Sequence, residues 1–101
     1  MSGQGGSAGP AWQAVDAGSL SMRDWDGEHL VFDSSSGDTH LLDESAGQLL
    51  CAVCAGAATE RSLRQELMRR DRSLDAGTAA RVCAQSLAAL AELGLIVRGA
   101  P

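Results

Sequence analysis

The stretch LSMRDWDGEHLVF, residues 20–32, decides the fold of the N-terminal half. Apolar and polar side chains alternate before Asp26, which is the period-two pattern of a half-buried strand. Asp26-Gly27 is the strongest two-residue hairpin signal, because both central positions of a type I′ turn favour a positive φ. Residues 28–32 are therefore predicted to return as a second strand, antiparallel to the first.

Further strands are predicted on both sides of this hairpin. The turn-forming residues SSSGD (34–38) lead into THLL (39–42), which we expect to complete a three-stranded antiparallel meander. In this third strand Thr39 and Leu41 share one face, and one of the two faces is expected to meet the helices. WQAV (12–15) is a candidate for an additional strand at the start of the domain.

After Leu42 the apolar period changes from two to about 3.6 residues, which is typical of helices. Three helices are predicted near residues 45–55, 60–70 and 76–93, with N-caps among Asp43, Glu44 and Ser45 and at Thr59 and Asp75. Gly94 occupies the position of a C′ glycine, and residues 95–97 have the pattern of a short final strand. The predicted fold class is α+β: a winged helix-turn-helix-like domain with an N-terminal three-stranded antiparallel sheet followed by three helices.

The length and charge limit the possible functions. The chain has 101 residues, enough for one domain, and a formal net charge of −5. Residues 1–50 contain one arginine and eight acidic residues, a net charge of −7. An acidic chain is a poor nonspecific binder of nucleic acid, because phosphate neutralisation supplies most of that affinity. We therefore expect no nucleic-acid partner.

A DNA-binding winged-helix regulator is nevertheless the alternative function, because arginines cluster on and just after the second predicted helix. The cluster consists of Arg61, Arg64, Arg69, Arg70 and Arg72. The third helix, which would read bases, offers mainly Arg81 and Gln85 as polar side chains. A solvated charged face and a contact to an acidic partner are the other interpretations of the cluster.

Three cysteines are an odd number for a disulfide framework and favour a reducing compartment, so we expect a cytoplasmic protein. Cys51 and Cys54 have the spacing of redox pairs and zinc half-sites, but they lie inside an apolar helix with no second half-site. We expect them to be buried and structural, with no metal bound. No membrane span or signal pattern is evident. Residues 1–11 are expected to form a disordered tail before a domain at residues 12–98.

No catalytic machinery is evident in the sequence. His40 and Asp38 lie near several serines, but no G-x-S-x-G elbow or oxyanion-hole motif accompanies them. A partly buried, hydrogen-bonded His40 in a strand is the simpler interpretation. We predict that the protein is not an enzyme and has no cofactor.

The segment GDTHLLDE (37–44), with Ala46 and Leu49-Leu50, resembles the PqqD-like peptide chaperones. The pattern L-x-x-L-x-x-L-G-L-I (87–96), together with residues 25–27 and 31–32, adds to this resemblance, which covers residues 12–98. The most similar subgroup is the HPr-rel-A system PqqD family. The resemblance implies a RiPP recognition element, which binds the leader of a ribosomally made precursor peptide and presents it to a modifying enzyme of the same gene cluster. We also expect a cytoplasmic monomer or weak homodimer that contacts neither membrane nor nucleic acid.

In this family the leader adds as a strand beside the third sheet strand and lies against the third helix. The residues that this implies here are Thr39, His40, Leu41, Leu42, Arg81, Val82, Gln85, Ser86 and Ala89. Independently of the resemblance, small side chains beside the core stripe of the third helix predict a shallow groove next to a strand edge, which suits strand addition. Arg81 and Gln85 at its rim would select acidic or polar leader residues. If residues 12–15 paired on the same edge, they would block the groove.

Overall fold

The computed structural model describes residues 11–56 and 58–99. Its strands are β1 (Ala11–Ala14), β2 (Leu20–Trp25), β3 (Glu28–Asp33), β4 (Asp38–Leu42), β5 (Ala58–Thr59) and β6 (Ile96–Arg98). Its helices are α1 (Glu44–Ala55), α2 (Glu60–Arg70) and α3 (Ala76–Glu92), and a single 3-10 turn lies at Ala17–Ser19. The tail predicted over residues 1–10 lies outside the described residues, whereas Ala11, also assigned to that tail, belongs to β1.

The predicted meander is confirmed: β2, β3 and β4 form an antiparallel sheet in that order. Asp26 and Gly27, which join β2 to β3, have φ values of 57° and 84°, as a turn with two left-handed positions requires. Val31 in the central strand pairs with Met22 on one side and His40 on the other, and it is completely buried. These three side chains share the face that meets the helices.

A second sheet, which the sequence did not predict, has the order β5-β1-β6 and is also antiparallel. β1 lies in its centre, where Trp12 pairs with Ala58 and with Arg98. The Arg98 guanidinium lies over the Trp12 ring, 5.1 Å from its centroid, in a cation–π contact. Because both neighbours of β1 are in this sheet, β1 does not pair with β4 and does not block the predicted groove.

The three helices begin at the N-caps that the sequence indicated. Asp43 Oδ1 accepts a hydrogen bond of 2.8 Å from the Ala46 N–H at the start of α1. Thr59 and Asp75 cap α2 and α3 in the same way, at 3.1 and 2.7 Å. Each bond satisfies one of the N–H groups that a helix start leaves without an intrahelical partner.

The end of α3 fixes the direction of the last strand. Gly94 has a φ of 79°, and its N–H donates to the Ala91 carbonyl at 3.0 Å. The Leu95 N–H donates to the Leu90 carbonyl at 3.0 Å, which completes a Schellman motif. Leu95 and Ile96 are thereby turned back into the core, where each is at least 98% buried.

The hydrophobic core lies where α3 packs on α1 and α2 and where α1 packs on the first sheet. Its completely or almost completely buried side chains are Val31, Leu49, Leu50, Leu63, Leu67, Cys83, Leu87 and Leu90. Sheet first, then three helices, gives the α+β, winged-helix-like arrangement that the sequence predicted. Within residues 11–56 and 58–99, no helix is long and apolar enough to cross a membrane.

Candidate functional site

The strand β4 forms one edge of the sheet β2-β3-β4. Its backbone groups alternate between those that bond to β3 and those that point away from the sheet. The second set is available to pair with another strand, and soluble proteins usually cover or blunt such an edge. Among residues 11–56 and 58–99, no strand pairs with this outer edge of β4, which runs from Asp38 to Leu42.

A cavity of about 290 Å³ lies between the start of α1 and the middle of α3. Its walls are formed by Asp43, Ser45, Ala46, Val82, Gln85, Ser86 and Ala89. Asp43 directly follows Leu42, so the cavity opens at the C-terminal end of β4. An open strand edge and an adjacent cavity together make the candidate site, which we call the β4 groove.

The cavity has small apolar walls with a polar component. Ala46 and Ala89 contribute only methyl groups, which leaves the space that larger residues would fill. Ser86 is 8% exposed, and within the described residues its hydroxyl makes no hydrogen bond. The hydroxyl oxygen itself is not enclosed by protein atoms, so it is a hydrogen-bonding group that the fold leaves available in the cavity.

The residues of β4 divide between the two faces of the sheet. Thr39 and Leu41 point to solvent, and Leu41 is 61% exposed. His40 is half-buried, and Leu42, at 5% exposure, belongs to the core. Because the Leu42 side chain packs inward, this residue has only its backbone to offer at the strand edge.

Of the predicted groove residues on α3, the structure brings Val82, Gln85, Ser86 and Ala89 together at the cavity. Arg81 does not line the cavity; it lies on the exposed side of α3. Its charge acts on Asp75, whose pKa is lowered mainly by hydrogen bonds from Thr78 and to a smaller degree by Arg81. Arg81 is therefore an exposed residue outside the cavity, close enough to the Asp75 carboxylate to affect it.

Sequence reasoning missed the wall that α1 contributes. Asp43 and Ser45 were recognised only as candidate N-caps, and Ala46 only as part of the family resemblance. The signal was present in the position of Asp43, which lies between the end of β4 and the start of α1. A residue that joins an edge strand to a helix necessarily lies near whatever binds along that edge.

The outer face of the same sheet exposes several large apolar side chains. Trp25, Phe32 and Leu41 are 68%, 44% and 61% exposed, and Leu30 lies between Arg23 and Leu41 in the register. These residues project away from the core, and Leu41 belongs to the open strand. A strand added beside β4 would extend this apolar outer face.

The arginine cluster is partly neutralised. Glu66 accepts hydrogen bonds from Arg69 and Arg70 at 2.7 Å each, and these bonds lower the pKa of its carboxyl. Arg61 and Arg64 line a separate shallow pocket with Met68. This surface lies on α2 and contributes nothing to the β4 groove.

The cysteines divide into buried and accessible thiols. Cys83 is completely buried, and loss of solvation raises its pKa to about 11. Burial also raises the pKa of half-buried Cys54, and the neighbouring Cys51 adds to that shift. The prediction that Cys51 is buried was wrong: it is exposed, although its Sγ lies 3.6 Å from Met22 Sδ, because this contact lies at the edge strand β2 rather than in the core. Among the described residues, no three His, Cys, Asp or Glu side chains converge as metal ligands would.

Comparison with known proteins gives one informative likeness. No protein-family model matches the chain, and no curated protein matches it. The solved structure of TbiB1 in complex with the TbiA(beta) leader peptide matches with a TM-score of 0.67 at 19% sequence identity, covering 88% of this chain and 99% of that one. At this identity the likeness establishes a shared fold over most of the chain.

Proposed function

We propose that this chain is a non-catalytic peptide chaperone of the PqqD-like type, a RiPP recognition element. It binds the leader segment of a ribosomally made precursor peptide as an additional strand beside β4 and presents it to a modifying enzyme. The observation that carries the proposal is the open β4 edge beside the cavity of about 290 Å³. The shared fold with a leader-bound protein supports the same function.

In the proposed complex the leader backbone bonds to the N–H and C=O groups of alternate residues within Thr39–Leu42, those that point away from β3. Alternate leader side chains then point inward, toward Val82, Gln85, Ser86 and Ala89, whose positions around the cavity support this contact. Arg81 lies at the rim, where it would meet polar leader residues outside the cavity.

The energetics require both parts of the β4 groove. Each backbone hydrogen bond contributes only about 0.5–1.5 kcal/mol net. Micromolar affinity corresponds to about −8 kcal/mol, and association and ordering of the peptide oppose binding. A few backbone bonds on a five-residue strand therefore need a side-chain anchor, which the cavity would accommodate.

We place the contact with the modifying enzyme on the outer face of the sheet. Trp25, Phe32 and Leu41 are exposed there, and large exposed apolar groups commonly mark interaction surfaces. Leader side chains that alternate with the inward ones would lie on this same face. The enzyme would then contact the domain and the leader together.

The alternative function, DNA binding, has no structural observation in its favour. The exposed side of α3 presents Arg81 together with Ala84, Ala88 and Glu92, which gives one cation and one acid. Of the arginines on α2, two are held by Glu66. A recognition surface for DNA would need a broader set of cationic and base-reading side chains.

The test of the proposal is calorimetry with synthetic leader segments of short precursor peptides encoded near this gene. Ala89→Trp places a large ring in the cavity from an exposed position on α3. We expect micromolar binding to the wild-type chain and at least a tenfold loss in Ala89→Trp.

Ala84→Trp is the matched control, since Ala84 is exposed on the opposite side of α3. It is expected to bind as the wild type does, and circular dichroism will establish that both variants keep the fold. If a leader binds Ala89→Trp as tightly as the wild type, or if none of the leaders binds the wild type, the proposed function is wrong.

A further inference from the structure

The β4 groove contains polar groups that an apolar anchor would leave unsatisfied. Ser86 is 8% exposed, lines the cavity and makes no hydrogen bond within the described residues. Gln85 and Ser45 add an amide and a second hydroxyl to the same walls. Burying these groups against a purely apolar side chain would cost their hydration without replacing it.

The one charged side chain in the cavity wall is a carboxylate. Asp43 uses Oδ1 to cap α1, and within the described residues Oδ2 accepts no hydrogen bond. The seven lining residues include no arginine, lysine or histidine. Closing a peptide over this carboxylate would remove water from it, which is costly unless a cation or a donor replaces that water.

The surroundings favour a cation further. Residues 1–50, which supply the sheet and the start of α1, have a net charge of −7. Asp38 begins the open strand and Glu44 follows Asp43. The nearest candidate cation on α3, Arg81, lies outside the cavity and close enough to Asp75 to lower the pKa of that carboxyl.

We propose that the cavity at the C-terminal end of β4 binds one basic side chain of the peptide, a lysine ammonium or an arginine guanidinium. The cation lies against Asp43 Oδ2, and Ser86 and Gln85 accept its remaining hydrogen bonds, while Val82 and Ala89 contact its alkyl stem. A volume of about 290 Å³ has room for such a side chain. This inference rests on the proposed function and defines the side-chain chemistry of the leader anchor.

The experiment uses the full chain to select binders from a displayed library of random 12-residue peptides. We expect the bound peptides to share one position occupied by lysine or arginine. A selected peptide and its analogue with methionine at that position are then titrated against the wild-type chain and Asp43→Asn. Asparagine caps helices about as well as aspartate, so this variant removes the charge and keeps the cap.

The expected results form a double-mutant cycle. On the wild type the analogue binds about tenfold more weakly than its parent, and on Asp43→Asn the two peptides bind equally. Asp26→Asn is the control: it removes one negative charge in the distant hairpin turn, at a φ of 57° that asparagine tolerates. Solvent and salt screen a charge at this distance. We therefore expect Asp26→Asn to change the affinity for either peptide by no more than about twofold.

Two outcomes would overturn the inference and one would remove its foundation. A selection without a recurrent basic position contradicts it, and so does a tenfold difference between the peptides that persists in Asp43→Asn. If in either case Ala89→Trp still abolishes binding, the peptides occupy the β4 groove and the proposed function stands without this inference. If Ala89→Trp binds the selected peptides normally, both fail.

Discussion

Helix α1 meets β3 and α3 in opposite ways. Where β3 meets α1, the His29 ring lies so close to the backbone of Gly47 that a Cβ there would collide with it, and Val31 is completely buried. Where the start of α1, directly after β4, meets α3, a cavity of about 290 Å³ remains. Protein interiors are otherwise filled to crystal density, and the atoms that line a gap lose dispersion contacts. The first junction therefore holds the fold together, and the second has contacts left for a ligand to make.

The largest expected effect that distinguishes the two junctions comes from shortening one valine in each. The contact between β3 and α1 is the closed junction. Val31→Ala there removes two buried methyl groups and is expected to lower the free energy of unfolding by about 2 kcal/mol. The contact between the start of α1 and α3, where the cavity lies, is the open junction. The Val82 side chain there is only half-buried, so Val82→Ala is expected to lower the free energy of unfolding by less than about 1 kcal/mol. Urea unfolding of both variants measures the difference. Equal losses would mean that the β4 groove is packed like the core.

A smaller effect is expected from adding one methyl group at a glycine. Gly47→Ala forces α1 away from His29, and we expect a loss of about 1 kcal/mol or more despite the better helix propensity of alanine. Gly77→Ala in α3 is the matched control, because its Cβ would meet only Asp75 Oδ1, at an ordinary 3.6 Å. It is expected to gain about 0.5–1 kcal/mol. The unfolding temperatures of the two variants test this. A stabilised Gly47→Ala would show that the closed junction has unfilled space for the added methyl group.

The smallest perturbation is chemical labelling, which leaves the sequence unchanged. Cys83 lies in the core stripe of α3, and its pKa of about 11 means that the thiol stays protonated at pH 9. Since the thiolate is the reacting form, Cys83 is expected to resist iodoacetamide at pH 8 to 9 and to react only when the pH approaches 11 or the protein unfolds. Exposed Cys51 is expected to react first. Mass spectrometry of the modified peptides measures the order, and early labelling of Cys83 would contradict the closed packing of α3.

Local signals in the sequence were sufficient for most of the fold. The Asp26-Gly27 hairpin, the three N-caps and the glycine after α3 each follow from the conformational demands of a few neighbouring residues, and α2 was predicted at its observed bounds. The second sheet was missed because it depends on pairing between distant segments. β5 has only two residues, and a strand so short has no period of its own to detect.

The candidate site was predictable on α3 and not on α1. A helix stripe of small side chains at Val82, Ser86 and Ala89 is visible as a spacing in the sequence. The carboxylate wall at Asp43 is not, because it depends on how β4 turns into α1 relative to α3. The exposure of Cys51 was missed for a similar reason: an apolar segment does not show which of its residues lie at the edge of the sheet instead of over its centre.

Strand addition at β4 is the central claim, and amide hydrogen exchange measured by NMR tests it most directly. The sheet has two edges, β2 and β4, so the same experiment contains its own comparison. With a peptide that binds the full chain at saturating concentration, we expect alternate amides of Asp38–Leu42, those pointing away from β3, to exchange about tenfold or more slowly. The outward amides of Leu20–Trp25 are expected to exchange at their original rates. Slowing along β2, or a bound peptide that slows neither edge, would contradict the account.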